Sequence, residues 1–221
     1  MWNILKKAHM GGVINAIRLA KNGGFEIMDD AKLILAIYPG GDKNIFAEEI
    51  GIFDLGGLLS LFGTMTDPKV KYKEHVLVLE EGENTWSYMT AEPGIIYQAY
   101  APKKSDEHAM VSLKKVKPVK VIVHQDRIKE IDKYASAVKD ATRMFIDSKK
   151  GIRIGVGSEK ETCGVVGLGG EEKLDGRINL PKREFQAILG ACEGDVEMEL
   201  RPDDLPVVLK EKDITFIIHQ I

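Results

Sequence analysis

Residues 125–138 read QDRIKEIDKYASAV, and the spacing of their apolar side chains decides how the fold is interpreted. The apolar positions recur every three or four residues, which is the period of an amphipathic helix with one buried face. These positions are Ile128, Ile131, Ala135 and Val138. The opposite face carries Arg127 and Lys133. Strand-like segments lie on both sides, so the stretch predicts a basic helix inside a β-rich unit.

The same order of elements recurs earlier in the chain. We predict a strand at 2–7, a basic helix at 10–21, and a second helix at 55–65 with Asp54 as its N-cap. Strands are predicted between these helices and after them, up to residue 90. The first half therefore reads as strand, helix, strands, helix, strands.

The second half follows the same plan. A strand at 116–123 precedes the 125–138 helix, Pro181 opens a fourth helix, and strands complete the chain. A duplicated unit in 221 residues favours two domains of roughly 100 residues, each large enough for its own core. We place the domains at 1–101 and 112–221, with a polar connector at 102–111.

Composition limits the classes of function. Hydrophobic residues make up 44% and charged residues 29%, as in an ordinary globular protein. The chain has 31 basic and 34 acidic side chains, a net charge of -3, so neither half is a basic module of the usual nucleic-acid-binding kind. Any contact with DNA requires positive charge gathered on one surface. No apolar run is long enough for a membrane span and no signal peptide is visible, so a cytoplasmic location is expected.

Signals for enzymatic chemistry are weak. The five histidines are never spaced by three or four residues, so no metal site is predicted. Ser105, Asp106 and His108 are neighbours in the connector, whereas catalytic groups are assembled from separate elements. The glycine-rich stretches lack the lysine and serine of a phosphate loop. Two cysteines without metal spacing are read as reduced and structural. We therefore expect no enzyme activity and no cofactor.

Three stretches carry a resemblance to a known family: 46–59 (FAEEIGIFDLGGLL), 90–104 around the connector, and 204–218 at the carboxyl end. In their order and spacing they resemble the DNA polymerase sliding clamps, most closely the tailed-phage type and more distantly proliferating cell nuclear antigen. The resemblance spans essentially the whole chain. It implies an α+β clamp fold of two similar domains, each with helices on one face of antiparallel sheets.

The resemblance also implies a function. Such clamps are homotrimeric rings of six domains that encircle duplex DNA without sequence preference and make DNA replication processive. The implied partners are DNA polymerase, a clamp loader and further copies of the chain, in the host cytoplasm if the protein is viral. An alternative is a monomeric or dimeric polymerase accessory factor of the same fold that binds DNA by an open basic face.

The resemblance and the helix faces together give three sets of candidate site residues. The expected DNA-facing residues are Asn15, Arg18, Lys21, Arg127, Lys133, Lys139, Arg143, Lys182, Arg183 and Gln186. The expected partner-peptide pocket comprises Ile37, Ile45, Ile96, Tyr97, Tyr100, Pro206, Phe216 and Ile218. The expected subunit interface comprises Trp86, Tyr88, Thr162, Val165 and Val166. The alternatives are ordinary solvated helix faces for the charged residues and core packing for the apolar ones.

Overall fold

The computed structural model describes residues 1–96, 116–149, 151–157, 164–169, 173–202 and 204–221. Its helices are α1 (Trp2–His9), α2 (Leu55–Gly63), α3 (Gln125–Ala137) and α4 (Lys182–Ala191). The predicted connector at 102–111 lies outside the described residues, so the boundaries at 101 and 112 stay predictions. No helix among the described residues is long and apolar enough to cross a membrane.

The strands fall into two groups along the chain. The first seven are β1 (Ile17–Leu19), β2 (Phe25–Met28), β3 (Ile34–Tyr38), β4 (Ile50–Ile52), β5 (Lys69–Lys73), β6 (Val76–Glu81) and β7 (Asn84–Met89). The next eight are β8 (Val119–Val123), β9 (Arg143–Asp147), β10 (Ile152–Val156), β11 (Gly164–Gly169), β12 (Ile178–Pro181), β13 (Val196–Leu200), β14 (Val207–Glu211) and β15 (Ile214–Ile218). The registers determined for these strands are antiparallel. The fold class is therefore α+β, as predicted.

The chain divides into two compact units. Of the described residues, the amino-terminal unit comprises 1–30 and 36–96. The carboxyl-terminal unit comprises 31–35 and the described residues from 116 onwards. Within the amino-terminal unit, β1 pairs with β4, and β5, β6 and β7 form a three-stranded sheet. Helices α1 and α2 pack together, with the rings of Trp2 and Phe62 stacked at 3.5 Å. Leu5, Leu58 and Leu79 are fully buried in this unit.

The carboxyl-terminal unit has a second helix pair and a larger sheet system. Strands β11, β10, β9 and β12 form one sheet in that order. Strands β15, β14, β13 and β8 are successive neighbours in another sheet. Helices α3 and α4 contact each other and the first of these sheets. Ile131, Phe185 and Phe216 are buried in its core. The carboxyl-terminal unit therefore buries one face of a helix pair against strands.

The prediction for the first twenty residues was wrong. Residues 2–9 form helix α1 instead of a strand, and residues 10–21 contain strand β1 instead of a helix. Met10, Gly11 and Gly12 have φ angles of 47°, 64° and 104°, which belong to the left-handed region that ends helices. The glycine pair therefore closes a helix before it, and the expected basic helix after it does not form.

The other three helix predictions are confirmed. The α2 N-cap is Asp54, whose Oδ1 accepts a hydrogen bond of 2.8 Å from the Gly57 backbone N–H. Helix α3 begins at Gln125, where the backbone N–H donates to Asp195 Oδ1 at 3.1 Å. Helix α4 begins directly after Pro181, whose fixed φ suits a helix start.

Candidate nucleic-acid interface

Positive charge is concentrated on the four helices. They carry seven Lys and Arg residues against four Asp and Glu residues, a net charge of +3, whereas the whole chain has -3 and the rest of it therefore -6. Lys7 and Lys182 are buried, so five of these seven cations are open to an external anion. The helices are thus candidate surfaces for contact with a phosphate backbone.

Within the carboxyl-terminal unit, the seam between α3 and α4 is held by an amide. Gln186 Nε2 on α4 donates to Asp132 Oδ1 at 2.9 Å and to Ser136 Oγ at 3.5 Å on α3. Lys133 and Arg183 are exposed on these two helices. Helices α3 and α4 therefore each present an exposed cation, and Gln186 is hydrogen-bonded across the contact between them.

Arg127 is exposed but has an acidic neighbour one turn away. Its Nη1 donates to Glu130 Oε2 at 2.7 Å, and this hydrogen bond raises the pKa of Arg127 above its ordinary value. Lys139 and Arg143 are exposed as well, but they lie after α3, in the loop and at the start of β9. Lys133, Arg183, Lys139 and Arg143 are thus more open to an external anion than Arg127 is.

Lys182 does not fit the prediction of a DNA-facing cation. It is only 9% exposed, and its Nζ donates to the backbone O of Val138, which follows the last residue of α3. A cation at a helix carboxyl end satisfies orphan carbonyl groups and is favoured by the helix dipole. Lys182 therefore ties the end of α3 to the start of α4.

The three expected DNA-facing residues of the amino-terminal unit do not share a helix. Arg18 lies on β1, where its Nε donates to Glu49 Oε2 at 2.9 Å and its Nη2 bonds the same oxygen. Asn15 Nδ2 donates to Gly12 O at 3.1 Å, and Lys21 lies in the loop after β1. The placement of Asn15, Arg18 and Lys21 on a basic helix is therefore wrong, and the charge of Arg18 is largely satisfied by Glu49.

The sequence reading missed Lys6, an exposed cation on α1. The signal was present, because Trp2, Leu5 and Ala8 recur at three-residue spacing and a glycine pair follows soon after. The helix has only eight residues, and its short periodic pattern was read as a strand. Lys6 is therefore an exposed cation on a helix of the amino-terminal unit, whereas Arg18 lies on a strand.

Strands β7 and β11 lie at the edges of their sheets. β7 pairs with β6 and β11 pairs with β10, and neither has a second strand neighbour among the described residues. Trp86 and Tyr88 are half-buried, since they share a face with Leu77 and Leu79. An edge strand leaves a row of backbone N–H and C=O groups able to pair with another chain.

The expected interface residues differ in their burial. Val165 is 38% exposed, but Val166 is 3% exposed because it lies on the core face opposite Ile154. Val166 is therefore a core residue, which corrects its assignment to the interface. Thr162 lies outside the described residues. Tyr88 is anchored as well: its hydroxyl donates to Asp54 O at 2.9 Å, and burial raises its pKa.

The expected partner-peptide pocket includes three residues that are buried in the carboxyl-terminal unit. Pro206 is buried, and Phe216 and Ile218 are fully buried, so none of the three is open to a peptide. Side chains alternate between the two faces of a strand, and β15 directs Phe216 and Ile218 to the core while Ile217 takes the other face. The structure therefore makes these three residues core residues.

The remaining pocket residues are dispersed. Ile96 is 6% exposed and packs against Gly51, whereas Ile45 is 55% exposed. Ile37 lines a cavity of about 290 Å³ in the amino-terminal unit, together with the Arg18–Glu49 pair and Tyr38. Tyr97 and Tyr100 lie outside the described residues. The assignment of Ile37, Ile45 and Ile96 to a partner-peptide pocket stays a prediction.

Comparison with solved structures identifies the architecture. The structure of A. fulgidus PCNA with the C-terminal region of FEN-1 bound matches with a TM-score of 0.70 and 15% identity, covering 100% of this chain and 96% of that one. Proliferating Cellular Nuclear Antigen from Entamoeba histolytica matches with a TM-score of 0.70 and 12% identity, covering 100% and 94%. The chain has the sliding-clamp fold. No family model matches the sequence, and a search of curated proteins finds no match.

The clamp fold confirms the resemblance to the sliding clamps, whereas the closer likeness to the tailed-phage type stays a prediction. Two features recur in both units of this clamp fold: a pair of packed helices and a sheet that ends in a bare edge strand. Exposed cations also lie on strands, such as Lys71 and Lys73 of β5, so the candidates are selected by their position on the helix pairs or directly after α3. The revised set of candidate DNA contacts consists of Lys6, Arg127, Lys133, Lys139, Arg143 and Arg183.

Proposed function

We propose that the protein is a sliding clamp, a homotrimeric ring that encircles duplex DNA and tethers a DNA polymerase. The observation that carries the proposal is the full-length match to clamp structures together with the concentration of positive charge on the helices. A ring stays on DNA because it is threaded, so its lining needs only weak contacts. A net charge of +3 on the helices fits that requirement better than a strongly basic open face does.

The contacts with DNA are proposed to be contacts with phosphate. Lys and Arg side chains on helices position a protein on the duplex but carry no sequence information by themselves. Lys6, Lys133 and Arg183 are exposed on three different helices, so they suit this role. Helix α2 has no charged residue at all, which makes the proposed lining uneven.

The two bare sheet edges support assembly. We propose that β7 of one copy pairs with β11 of the next, since an exposed edge is a template for strand pairing and closure of a ring removes every such edge. Val165 is exposed on β11, and Met89 is 66% exposed at the end of β7. These side chains are proposed to be buried between neighbouring copies, beside the half-buried Trp86 and Tyr88.

The partners follow from the same reasoning. The A. fulgidus clamp binds the C-terminal region of FEN-1. We propose that this protein likewise binds segments of a polymerase and of a clamp loader and has no catalytic activity of its own. A viral origin and a location in the host cytoplasm are part of the proposal and rest on the sequence resemblance.

Mass in solution tests the assembly. The chain has a mass of 24.5 kDa, so sedimentation at micromolar concentration is expected to give a particle of three times that mass. Chemical crosslinking at higher concentration should show a ladder that ends at three. A monomer or a dimer under both conditions would favour the alternative, an accessory factor of the same fold with an open DNA-binding face.

A further inference from the structure

A buried arginine lies at the end of β13 in the carboxyl-terminal unit. Val196, Met198 and Leu200 of this strand point into the core, so Glu199 and Arg201 belong to the opposite face. The Arg201 side chain is nevertheless only 7% exposed. Arginine is rarely buried to this degree without partners for its donors.

The donors of Arg201 are only partly used. Its Nη2 donates to Glu199 Oε2 at 2.7 Å, but Nε and Nη1 are buried and have no hydrogen-bond partner. Buried polar atoms without partners are uncommon in folded proteins, because each loses its bonds to water and gains none in return. Two such atoms on one guanidinium indicate that an acceptor binds there.

The charges around Arg201 leave a positive surplus. Lys120 donates to Glu197 at 2.9 Å, Lys210 donates to Glu199 at 2.5 Å, and Arg201 shares Glu199 with Lys210. Burial alone would raise the pKa of Glu199, but the hydrogen bonds from Lys210 and Arg201 outweigh it and lower the pKa to about 2. Among the described residues, three cations therefore share two carboxylates in this hydrogen-bonded cluster.

The surroundings of Arg201 are fixed and partly apolar. Val208 lies opposite Glu199 in the strand register, and Ile217 lies opposite Val208, so both share the face of Arg201. Gln220 Nε2 donates to the backbone O of Arg201 at 3.2 Å and to that of Leu205 at 2.6 Å. The backbone that carries the guanidinium is thus held from the carboxyl end of the chain.

We propose that Arg201 binds a carboxylate of a partner protein, either an acidic side chain or a carboxyl terminus, flanked by apolar residues. A single negative charge matches the surplus of one, whereas a phosphate group carries close to two. The planar carboxylate also suits the geometry of guanidinium donors. That the carboxylate belongs to a partner protein rests on the proposed function. That Arg201 binds a carboxylate does not.

The test uses small probes on the full-length protein. The Arg201 Nε–H signal is followed by NMR, assigned with Arg201→Lys, while N-acetyl-leucyl-phenylalanine or its carboxamide is added. The free acid is expected to shift the signal with saturation and to bind at least fivefold more tightly than the amide. In Arg201→Lys, where the Gln220 side-chain amide signal is followed instead, the preference for the acid should fall below twofold. In the matched control Lys173→Met, an exposed lysine outside this cluster, the preference should persist.

Further probes at equal ionic strength separate the possible anions. Sodium acetate should compete with the acid, and sodium chloride should not. Tighter binding of inorganic phosphate than of acetate would overturn the assignment to a carboxylate. Equal binding of acid and amide by the wild-type protein would overturn the proposal without requiring any variant to fold. Trimer mass, measured on the same samples, reports separately on the proposed ring.

Discussion

Glu199 gives a prediction about stability that can be worked out from the structure. Hydrogen bonds from Lys210 and Arg201 overcome the effect of burial and hold the pKa of this carboxyl at about 2, against 4.5 ordinarily. A difference of about 2.5 pH units corresponds to about 3 kcal/mol of folding free energy. Because the folded-state pKa is lowered, this contribution is complete above pH 4.5 and is lost as the pH falls towards 2.

The perturbation is Glu199→Gln, which keeps the size of the side chain and removes its charge. At pH 7 the free energy of unfolding is expected to fall by about 2 to 3 kcal/mol, because two cations lose their shared anion. At pH 3 the difference between wild type and variant should be roughly half as large, since the wild-type carboxylate is then losing its own contribution.

Guanidinium denaturation followed by circular dichroism measures both values at one fixed protein concentration. The control is Glu197→Gln, whose side chain is 41% exposed and whose loss should cost less than about 1 kcal/mol. Ordinary surface substitutions change the free energy of unfolding by up to ~0.5 kcal/mol. A change no larger than that in Glu199→Gln at pH 7 would refute the reasoning. So would a difference between wild type and variant that does not change with pH.

Three further predictions concern DNA binding, helix capping and assembly. The double variant Lys133→Ala, Arg183→Ala should lower the slope of log binding constant against log salt concentration by about one per lost phosphate contact. Filter binding at several salt concentrations measures this slope, and stability should change little. Arg18→Ala, in which the lost side chain is paired with Glu49, should leave the slope unchanged. Asp54→Ala should lower the unfolding free energy by about 1 kcal/mol in urea titrations, and no change would count against its role as N-cap of α2. Val165→Asp should weaken trimer formation at least tenfold in sedimentation experiments, and a trimer of wild-type stability would exclude β11 from the interface.

Much of the fold could be predicted because several elements carry an unambiguous local signal. Helix α3 has a sustained apolar period and α2 has an N-cap that the structure confirms. The first helix was missed because eight residues hold barely two turns of pattern. The glycines at positions 11 and 12 were placed inside a helix, although their left-handed conformation ends one.

The site was harder to predict because it depends on contacts between distant segments. Nothing local to Lys182 indicates that its ammonium group caps α3, since Val138 lies 44 residues earlier in the chain. Similarly, Arg18 meets Glu49 only through the pairing of β1 with β4. Phe216 and Ile217 are both buried, on opposite faces of β15, and composition does not reveal which face each takes. Register decides this, and register is set by pairing partners.

The most direct test of the central claim asks whether the protein is held on DNA by threading. The protein is incubated with linear duplex DNA carrying biotin at both ends, streptavidin is then added to block the ends, and the salt concentration is raised to suppress contacts with phosphate. A clamp is expected to remain on the blocked DNA and to leave once a restriction enzyme cuts the duplex. Equal loss from blocked and open DNA at high salt would contradict the account.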